Sequence, residues 1–194
     1  MRSLFFFAIA MVFVTVAHSQ ITITADDLPN TDSLYVRATA ANPGQFDFTA
    51  TGENFTWDFS ELEQVNLNTT EFQEISEAPF AYQFLFNNPF DPEHVADMTI
   101  ETEGFDTGQE ITFDEFYQFF QKNDDAYSIV GYGTTISGIP LPAQTNPVDV
   151  VYDLPIEFEN THDSYSEWLI EVPDFATYKL KQDRSYEVDG HGTL

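Results

Sequence analysis

The stretch DDLPNTD places four oxygen-bearing side chains, Asp26, Asp27, Asn30 and Asp32, in one short loop between two expected strands. Carboxylate and amide oxygens are the ligands that Ca²⁺ prefers. The spacing differs from that of an EF-hand, which needs oxygen ligands at alternate positions and a glycine at the sixth. The stretch is therefore a candidate calcium site of another type. The interpretation we favour is a solvated loop, in a chain whose many acidic residues cluster by chance.

A second group of side chains that can bind metals lies in DPEHVAD, which contains Asp91, Glu93, His94 and Asp97. Imidazole and carboxylate groups bind transition metals. A single histidine among acids is more often part of a solvated turn, and a proline such as Pro92 is tolerated in the first turn of a helix. We therefore expect one helical turn here rather than a metal centre.

The sequence contains no catalytic motif. It has no G-x-S-x-G elbow, no phosphate-binding loop, no dinucleotide fingerprint and no cysteine, which excludes disulfides, thiolate zinc sites and cysteine nucleophiles. Its 33 acidic residues supply many carboxylate pairs, but glycoside hydrolysis needs two carboxyl groups about 5 to 10 Å apart across a cleft, which no local spacing encodes. We predict that the chain is not an enzyme and that it holds no cofactor apart from the calcium considered above.

Acidic residues dominate the charge of the chain. There are 33 Asp and Glu against six Lys and Arg, for a formal charge of −27. Such a surface repels nucleic acid phosphates and anionic lipid headgroups. We expect neither nucleic acid nor an anionic membrane surface as a partner. Solubility in a salty medium explains the charge without any binding site.

Residues 1–19 have the composition of an export signal. Arg2 precedes an apolar run from Leu4 to Val14, and Ala17 and Ser19 stand at the small-residue positions that signal peptidase requires. A membrane-spanning helix needs about 20 apolar residues, so the run is too short for a retained anchor unless cleavage fails. We predict cleavage between Ser19 and Gln20, a mature chain of formal charge −28, and a secreted or outer cell-surface location.

Alternating apolar and polar residues predict an all-β fold. Strands are expected in SLYVRATA, QFDFTA, FTWDFSEL and VVYDLPIEF, because alternate residues of a strand point to opposite faces. FDEFYQFFQKN also fits a short helix by its spacing, but a hairpin of 111–121 with 127–136, turning at 123–125, is the expected structure. The turn signals between strands indicate an antiparallel β-sandwich, or a jelly-roll-like fold, forming one domain over 20–194.

The final residues, YEVDGHGTL, contain a tight-turn signal at Asp189 and Gly190. The sequence after this signal should form the return strand of a hairpin. Only residues 191–194 remain to form it, so we expect a domain that is truncated before its last strand or strands.

Aromatic residues offer an alternative function. Trp57 and Trp168 lie in alternating patterns and are expected in the core, but exposed Trp or Tyr rings can also stack on sugars. The alternative to a structural or adhesive module is therefore a carbohydrate-binding or glycan-active accessory domain.

Several segments together suggest a family. QITITADDLPNTDSLYVRATA, FDFTATGENFTWDFSEL and, later, DVVYDLPIEF and YEVDGHGTL resemble, in this order, the N-terminal region of Bacteroidetes-type proteins exported by type IX secretion. In that family the last motif carries tryptophan where this sequence has His191. The resemblance implies a non-catalytic β-domain followed by a C-terminal sorting domain that is not present here. The expected partners are extracellular polysaccharide or cell-surface components and further domains of the full-length chain.

Overall fold

The computed structural model describes residues 21–106, 112–172 and 176–193. The predicted signal peptide lies outside this part of the chain. The described residues form an all-β fold in antiparallel sheets, as predicted, while the finer prediction of a sandwich or jelly roll stays a prediction. The strands are β1 (Leu34–Ala40), β2 (Gly52–Thr56), β3 (Gln64–Glu71), β4 (Met98–Asp106), β5 (Thr112–Lys122), β6 (Ala126–Ile136), β7 (Ile139–Asp153), β8 (Thr161–Val172), β9 (Ala176–Glu187) and β10 (Gly190–Thr193).

Short helical segments connect some of these strands. The one α-helix in the described residues, α1, spans Phe80–Phe86, and 3₁₀-helices form at Ala25–Asp27, Pro43–Gln45, Ile75–Glu77 and Pro92–His94. The last of these confirms the helical turn predicted in DPEHVADM. In the part of the chain that the structure describes, no helix is long and apolar enough to cross a membrane.

A meander of four antiparallel strands, in the order β4-β5-β6-β7, forms the centre of the fold. The predicted hairpin is confirmed as β5 and β6, although residue 111 lies outside the described residues. Strands β8 and β9 form a second long hairpin. It runs beside β7, where the Ser164 hydroxyl donates a hydrogen bond of 2.9 Å to the carbonyl of Val150.

Helix α1 covers one face of this sheet. Tyr82 and Phe86, four residues apart and therefore on one side of the helix, are fully buried. The Phe86 ring stacks on Phe119 at a centroid distance of 4.0 Å. Both helix side chains lie over glycines of β6: a Cβ on Gly131 would be 2.3 Å from the Phe86 ring, and one on Gly133 would be 2.8 Å from Tyr82.

A second cluster of buried side chains unites the sheet with the segments around it. Its members are Phe72, Met98, Phe120, Tyr127, Ile129, Tyr132 and Leu154, and Trp168 of β8 packs against them. Because these residues come from most parts of the chain, the cluster ties the two hairpins to the N-terminal segments.

A buried ion pair holds the β8-β9 hairpin to β7. The Asp149 carboxylate, 1% exposed, accepts a hydrogen bond of 2.9 Å from the Arg184 guanidinium, and Gln182 donates a longer one of 3.3 Å. The hydrogen bond to Asp149 raises the pKa of the Arg184 guanidinium above its usual value. Burial raises the pKa of the neighbouring Tyr132 to about 12, and the Asp149 charge adds to the rise. A buried carboxylate needs such partners because water does not reach it.

The strand predicted in QFDFTA does not form. The rings of Phe46 and Phe48 both pack on Phe59, at centroid distances of 5.8 and 5.2 Å. The Asp47 carboxylate between them accepts hydrogen bonds from the backbone (2.9 Å) and hydroxyl (2.7 Å) of Thr49. Such local bonds compete with strand pairing, and the chain between Pro43–Gln45 and β2 is irregular.

Two other predicted strands end early. β2 stops at Thr56, before most of FTWDFSEL, and β7 stops at Asp153, before Leu154 and Pro155. The Leu154 N–H still donates to the carbonyl of Asp125 at 2.8 Å, and Pro155 has no N–H to donate. Beyond it, Ile156 forms an isolated bridge with Ile23.

The C-terminal segment differs from the hairpin expected at Asp189 and Gly190. Strand β10 pairs with β2, in parallel, with Gly190 opposite Gly52 and Thr193 opposite Thr56. The tight-turn reading was wrong because the partner of this short strand lies in the N-terminal half of the chain, which no local pattern reveals.

Replacing Gly131 tests how closely α1 packs on β6. Gly131→Ala should lower the free energy of unfolding by about 1 to 3 kcal/mol, the usual cost of overpacking, since the methyl group would meet both the Phe86 ring and the Ala143 carbonyl. Gly44→Ala is the matched control because nothing lies within 4 Å of a Cβ there, and it should change stability by no more than about 0.5 kcal/mol. Urea unfolding measures both, and equal midpoints would contradict this packing.

Candidate functional site

A groove of about 660 Å³ separates β3 from β4. At one end the two chain segments are joined: Gln73 and Thr99 exchange backbone hydrogen bonds of 2.8 and 3.0 Å. Beyond this bridge they diverge. β3 pairs on its other side with β1, and β4 pairs on its other side with β5. In the described part of the chain, the two strand edges that face the gap therefore have no strand partner. We call this gap the edge groove.

Acidic side chains line the edge groove. Glu71 comes from β3, Glu101 and Glu103 from β4, and Asp114 from β5. Across the described residues, none of these four carboxylates takes part in an ion pair. The charges are also crowded, because Glu103 stands directly opposite Glu115 on β5, and like charges in that arrangement are destabilising.

The pKa of Tyr117 records this crowding. Tyr117 is paired in register with Glu101. Burial raises the pKa of the Tyr117 hydroxyl well above its usual value, and the charges of Glu101 and Glu115 raise it further. An ionised Tyr117 is thus unfavourable beside these two carboxylates, whereas a cation would be favourable there.

The ribbon formed by β1 and β3 borders the edge groove and has one apolar face. Val36 stands opposite Thr69 and Ala38 opposite Leu67, and residues two apart along a strand share a face. The larger apolar side chains of this face, Leu34, Val36, Val65 and Leu67, are all more than half exposed. Glu71, opposite Leu34, lies at one end of it. The other face carries polar residues such as Arg37 and Asn68. We call the first side the apolar ribbon face.

A separate exposed patch lies on the outer side of α1. Phe80 and Phe84 are 79% and 75% exposed, and Phe90, just beyond the helix, is 95% exposed. The helix is apolar on two opposite sides, one against the sheet and one toward solvent.

The structure places the predicted calcium loop around a lysine. The Lys122 ammonium donates hydrogen bonds to the carbonyls of Ala25 (2.9 Å) and Leu28 (3.3 Å) and to the Asn30 side chain (2.6 Å). Asp27 instead accepts hydrogen bonds from the backbone and hydroxyl of Thr24, and these lower its pKa.

The other two calcium candidates, Asp26 and Asp32, are exposed, and Asp32 has a left-handed backbone with φ of 69°. In the segments that the structure describes, no three His, Cys, Asp or Glu side chains come together as a metal site. The calcium site stays a prediction, with the Lys122 ammonium in contact with one of its four candidate ligands.

The structure brings together two of the four residues in DPEHVAD. The Asp91 carboxylate accepts hydrogen bonds from Nδ1 of His94 at 3.1 Å and from Gln144 at 2.8 Å. The other ring nitrogen of His94 lies 2.9 Å from the carbonyl of Thr145. Glu93 is exposed, and Asp97 instead accepts a hydrogen bond from the Lys122 backbone. The pair therefore clamps the 3₁₀-turn to β7.

Trp168 lies in a groove that sequence reasoning did not find. This groove, of about 430 Å³, is also lined by Gln144, Asn146, Glu167 and Lys179, and an ion pair of 2.6 Å joins Lys179 to Glu167. Its residues come from α1, β7, β8 and β9, so only the tertiary structure unites them.

Both tryptophans are partly buried. Trp168 also packs on Tyr132 at a centroid distance of 5.1 Å. Trp57 donates a hydrogen bond of 2.9 Å to the carbonyl of Ala50.

Carboxyl groups with shifted pKa values all shift in one direction. Among the described residues, each Asp or Glu with a perturbed pKa has it lowered, by hydrogen bonds that favour the charged form. A general acid of a glycosidase needs the opposite shift.

Comparison with known proteins gives no match: no family model fits the chain, and neither curated proteins nor solved structures resemble it significantly. The resemblance to type IX secretion clients therefore stays a prediction. The interpretation of this chain depends on its own residues and their geometry.

The Asp91 clamp predicts a pH dependence. Hydrogen bonds from His94 and Gln144 hold the pKa of Asp91 below its unfolded value of 3.8. Its contribution to stability is therefore complete above that value and is lost as the pH falls through the lower folded pKa. The stability difference between the wild type and Asp91→Asn should shrink as the pH falls below 4.

Urea unfolding at each pH measures this difference. Gln144→Leu keeps the Asp91 carboxylate but removes one of its hydrogen-bond donors. In this variant, the stability difference caused by Asp91→Asn should therefore shrink less as the pH falls. A difference that grows as the pH falls below 4 would have the wrong sign for this clamp.

Proposed function

We propose that the chain is an exported, non-catalytic β-module, structural or adhesive, that works by docking onto other macromolecules at the cell surface. The apolar ribbon face is the observation that carries this proposal. Soluble chains rarely leave a continuous apolar face uncovered without an interaction to cover it. Here the four large side chains of the face lie on two paired strands and present one surface.

Docking on this face would also stabilise the ribbon. A two-stranded sheet is marginally stable by itself in water, and the described neighbours of β1 and β3 do not cover their apolar side. Burying a Val or Leu side chain contributes about 1.5 to 3 kcal/mol. Contact with a partner would therefore bind the partner and fix the ribbon in one process.

Two sequence features support the exported location. The first is the segment 1–19, with Arg2, its apolar run and its small-residue cleavage signal. The second is the large negative charge, which keeps a protein soluble in a salty medium. The family resemblance adds a type IX route and a place at the front of a longer chain.

Polar substitutions on the apolar ribbon face should weaken docking. Val36→Ser with Leu67→Ser removes two apolar contacts, each worth about 1.5 kcal/mol or more, so retention of the purified chain on the envelope fraction of the producing cells should fall at least about tenfold. Phe84→Ser is the matched control, because Phe84 is equally apolar and exposed but lies on α1.

The control variant should retain the binding of the wild type. Equal retention of the wild type and the variant with Val36→Ser and Leu67→Ser would contradict the docking proposal. Turnover of glycoside or peptide substrates by the purified wild type would sink the non-catalytic one.

The groove around Trp168 favours a second candidate function, carbohydrate binding. It combines an aromatic ring with amide, carboxylate and ammonium groups, which can hydrogen-bond sugar hydroxyls while the ring packs on a sugar face. The groove is small and open, which suits one or two sugar units at the surface of a chain.

Affinity electrophoresis in gels containing acidic or neutral polysaccharides tests this second candidate. If sugars bind here, Trp168→Leu should abolish retardation, and Trp57→Leu, at the other tryptophan, should leave it intact. Circular dichroism shows whether each variant is folded. Retardation that is absent in the wild type, or equal in both folded variants, would contradict a sugar site at Trp168.

A further inference from the structure

We propose that the edge groove receives an extended, basic segment of a partner protein, which adds to the sheet as a strand along β4. This inference rests on the proposed docking function and names the chemistry of the partner. An unpaired strand edge offers backbone donors and acceptors in a fixed order, and an extended peptide can satisfy them.

The bridge at Thr99 shows which backbone groups face the groove. The Thr99 N–H and carbonyl both point toward Gln73. Alternate residues of a strand direct these groups to the same edge, and β4 continues through Glu103 without a register shift. The N–H and carbonyl groups of Glu101 and Glu103 therefore face the groove. From Glu101 to Gly104 the open edge runs about 10 Å at ~3.4 Å per residue, room for a short strand.

The charges of the groove select a basic occupant. Its four carboxylates, Glu71, Glu101, Glu103 and Asp114, have no cationic partner in the described residues. They come from three strands and do not converge on one point as metal ligands do. Glu101 and Glu103, two residues apart on β4, share one face of the sheet. They match basic side chains that alternate along an extended peptide.

The same charges disfavour a second copy of the chain. Edge strands often carry charge as a protection against pairing with their own kind. Here every charged group of the groove is acidic, and the whole chain carries −27, so two copies repel each other. A basic strand meets no such barrier and would also relieve the repulsion between Glu103 and Glu115.

The test uses three synthetic octapeptides and fluorescence anisotropy at low and moderate salt. The first alternates valine and lysine, the second has the same composition with its lysines in one block, and the third has the first sequence with alternate backbone nitrogens methylated. The alternating peptide should bind at least about tenfold more tightly than either control. An acidic peptide of alternating valine and glutamate should not bind.

Two charge variants locate the site. Glu101→Gln, Glu103→Gln and Asp114→Asn together should weaken the alternating peptide about tenfold. Removing the same number of charges elsewhere, with Glu53→Gln, Glu61→Gln and Asp124→Asn, should change its affinity less than about threefold. The second variant controls for general attraction to an acidic protein.

Several outcomes would overturn the proposal. Equal binding of the blocked or methylated peptide would mean attraction by charge without strand addition, and equal losses in the two charge variants would place binding elsewhere. Self-association of the chain through this edge would mean that a second copy is the occupant. If the basic peptide fails to bind while the Val36 and Leu67 variants still lose envelope retention, the inference falls and the docking function stands.

Discussion

The fold depends on how closely helix α1 approaches strand β6. Tyr82 and Phe86 can reach the sheet only because Gly131 and Gly133 leave the space that a Cβ would fill. This contact closes one face of the meander with a helix of only seven residues. Since the helix lies over β5, β6 and β7, it leaves the β4 edge uncovered. The exposed outer phenylalanines of α1 follow from this placement. The edge itself is open because β4 is the terminal strand of the four-stranded sheet.

The two halves of the described chain are stabilised differently. In the second half, long hairpins share the aromatic cluster around Phe120 and Tyr127, and the buried pair of Asp149 and Arg184 fixes β9 over β7. In the first half, β1, β2 and β3 contribute exposed side chains along almost their whole length. A rigid sheet therefore carries a ribbon that is attached through β3 and the Gln73–Thr99 bridge. This division suits a module that presents one surface for docking.

The sequence predicts local features well and the site poorly. The β5-β6 hairpin follows from alternation around the NDD turn, and the turn at Pro92–His94 follows from its proline. FAYQFLF does not reveal α1, because phenylalanine and tyrosine favour strands and the glycines that receive the helix lie far along the chain. The edge groove depends on the register of β3, β4 and β5, and the Lys122 contact in the DDLPNTD loop joins segments that are equally distant. Such long-range pairings carry no local pattern.

The central claim is that the β4 edge accepts a strand, and amide hydrogen exchange at this edge tests it most directly. The amides of Glu101 and Glu103 should exchange rapidly in the free protein, because no described backbone group accepts from them, and should become protected in the complex with the alternating valine–lysine peptide. The Thr99 amide, already bonded to Gln73, should be protected in both states. Unchanged exchange at Glu101 and Glu103 in the saturated complex would contradict strand addition at this edge.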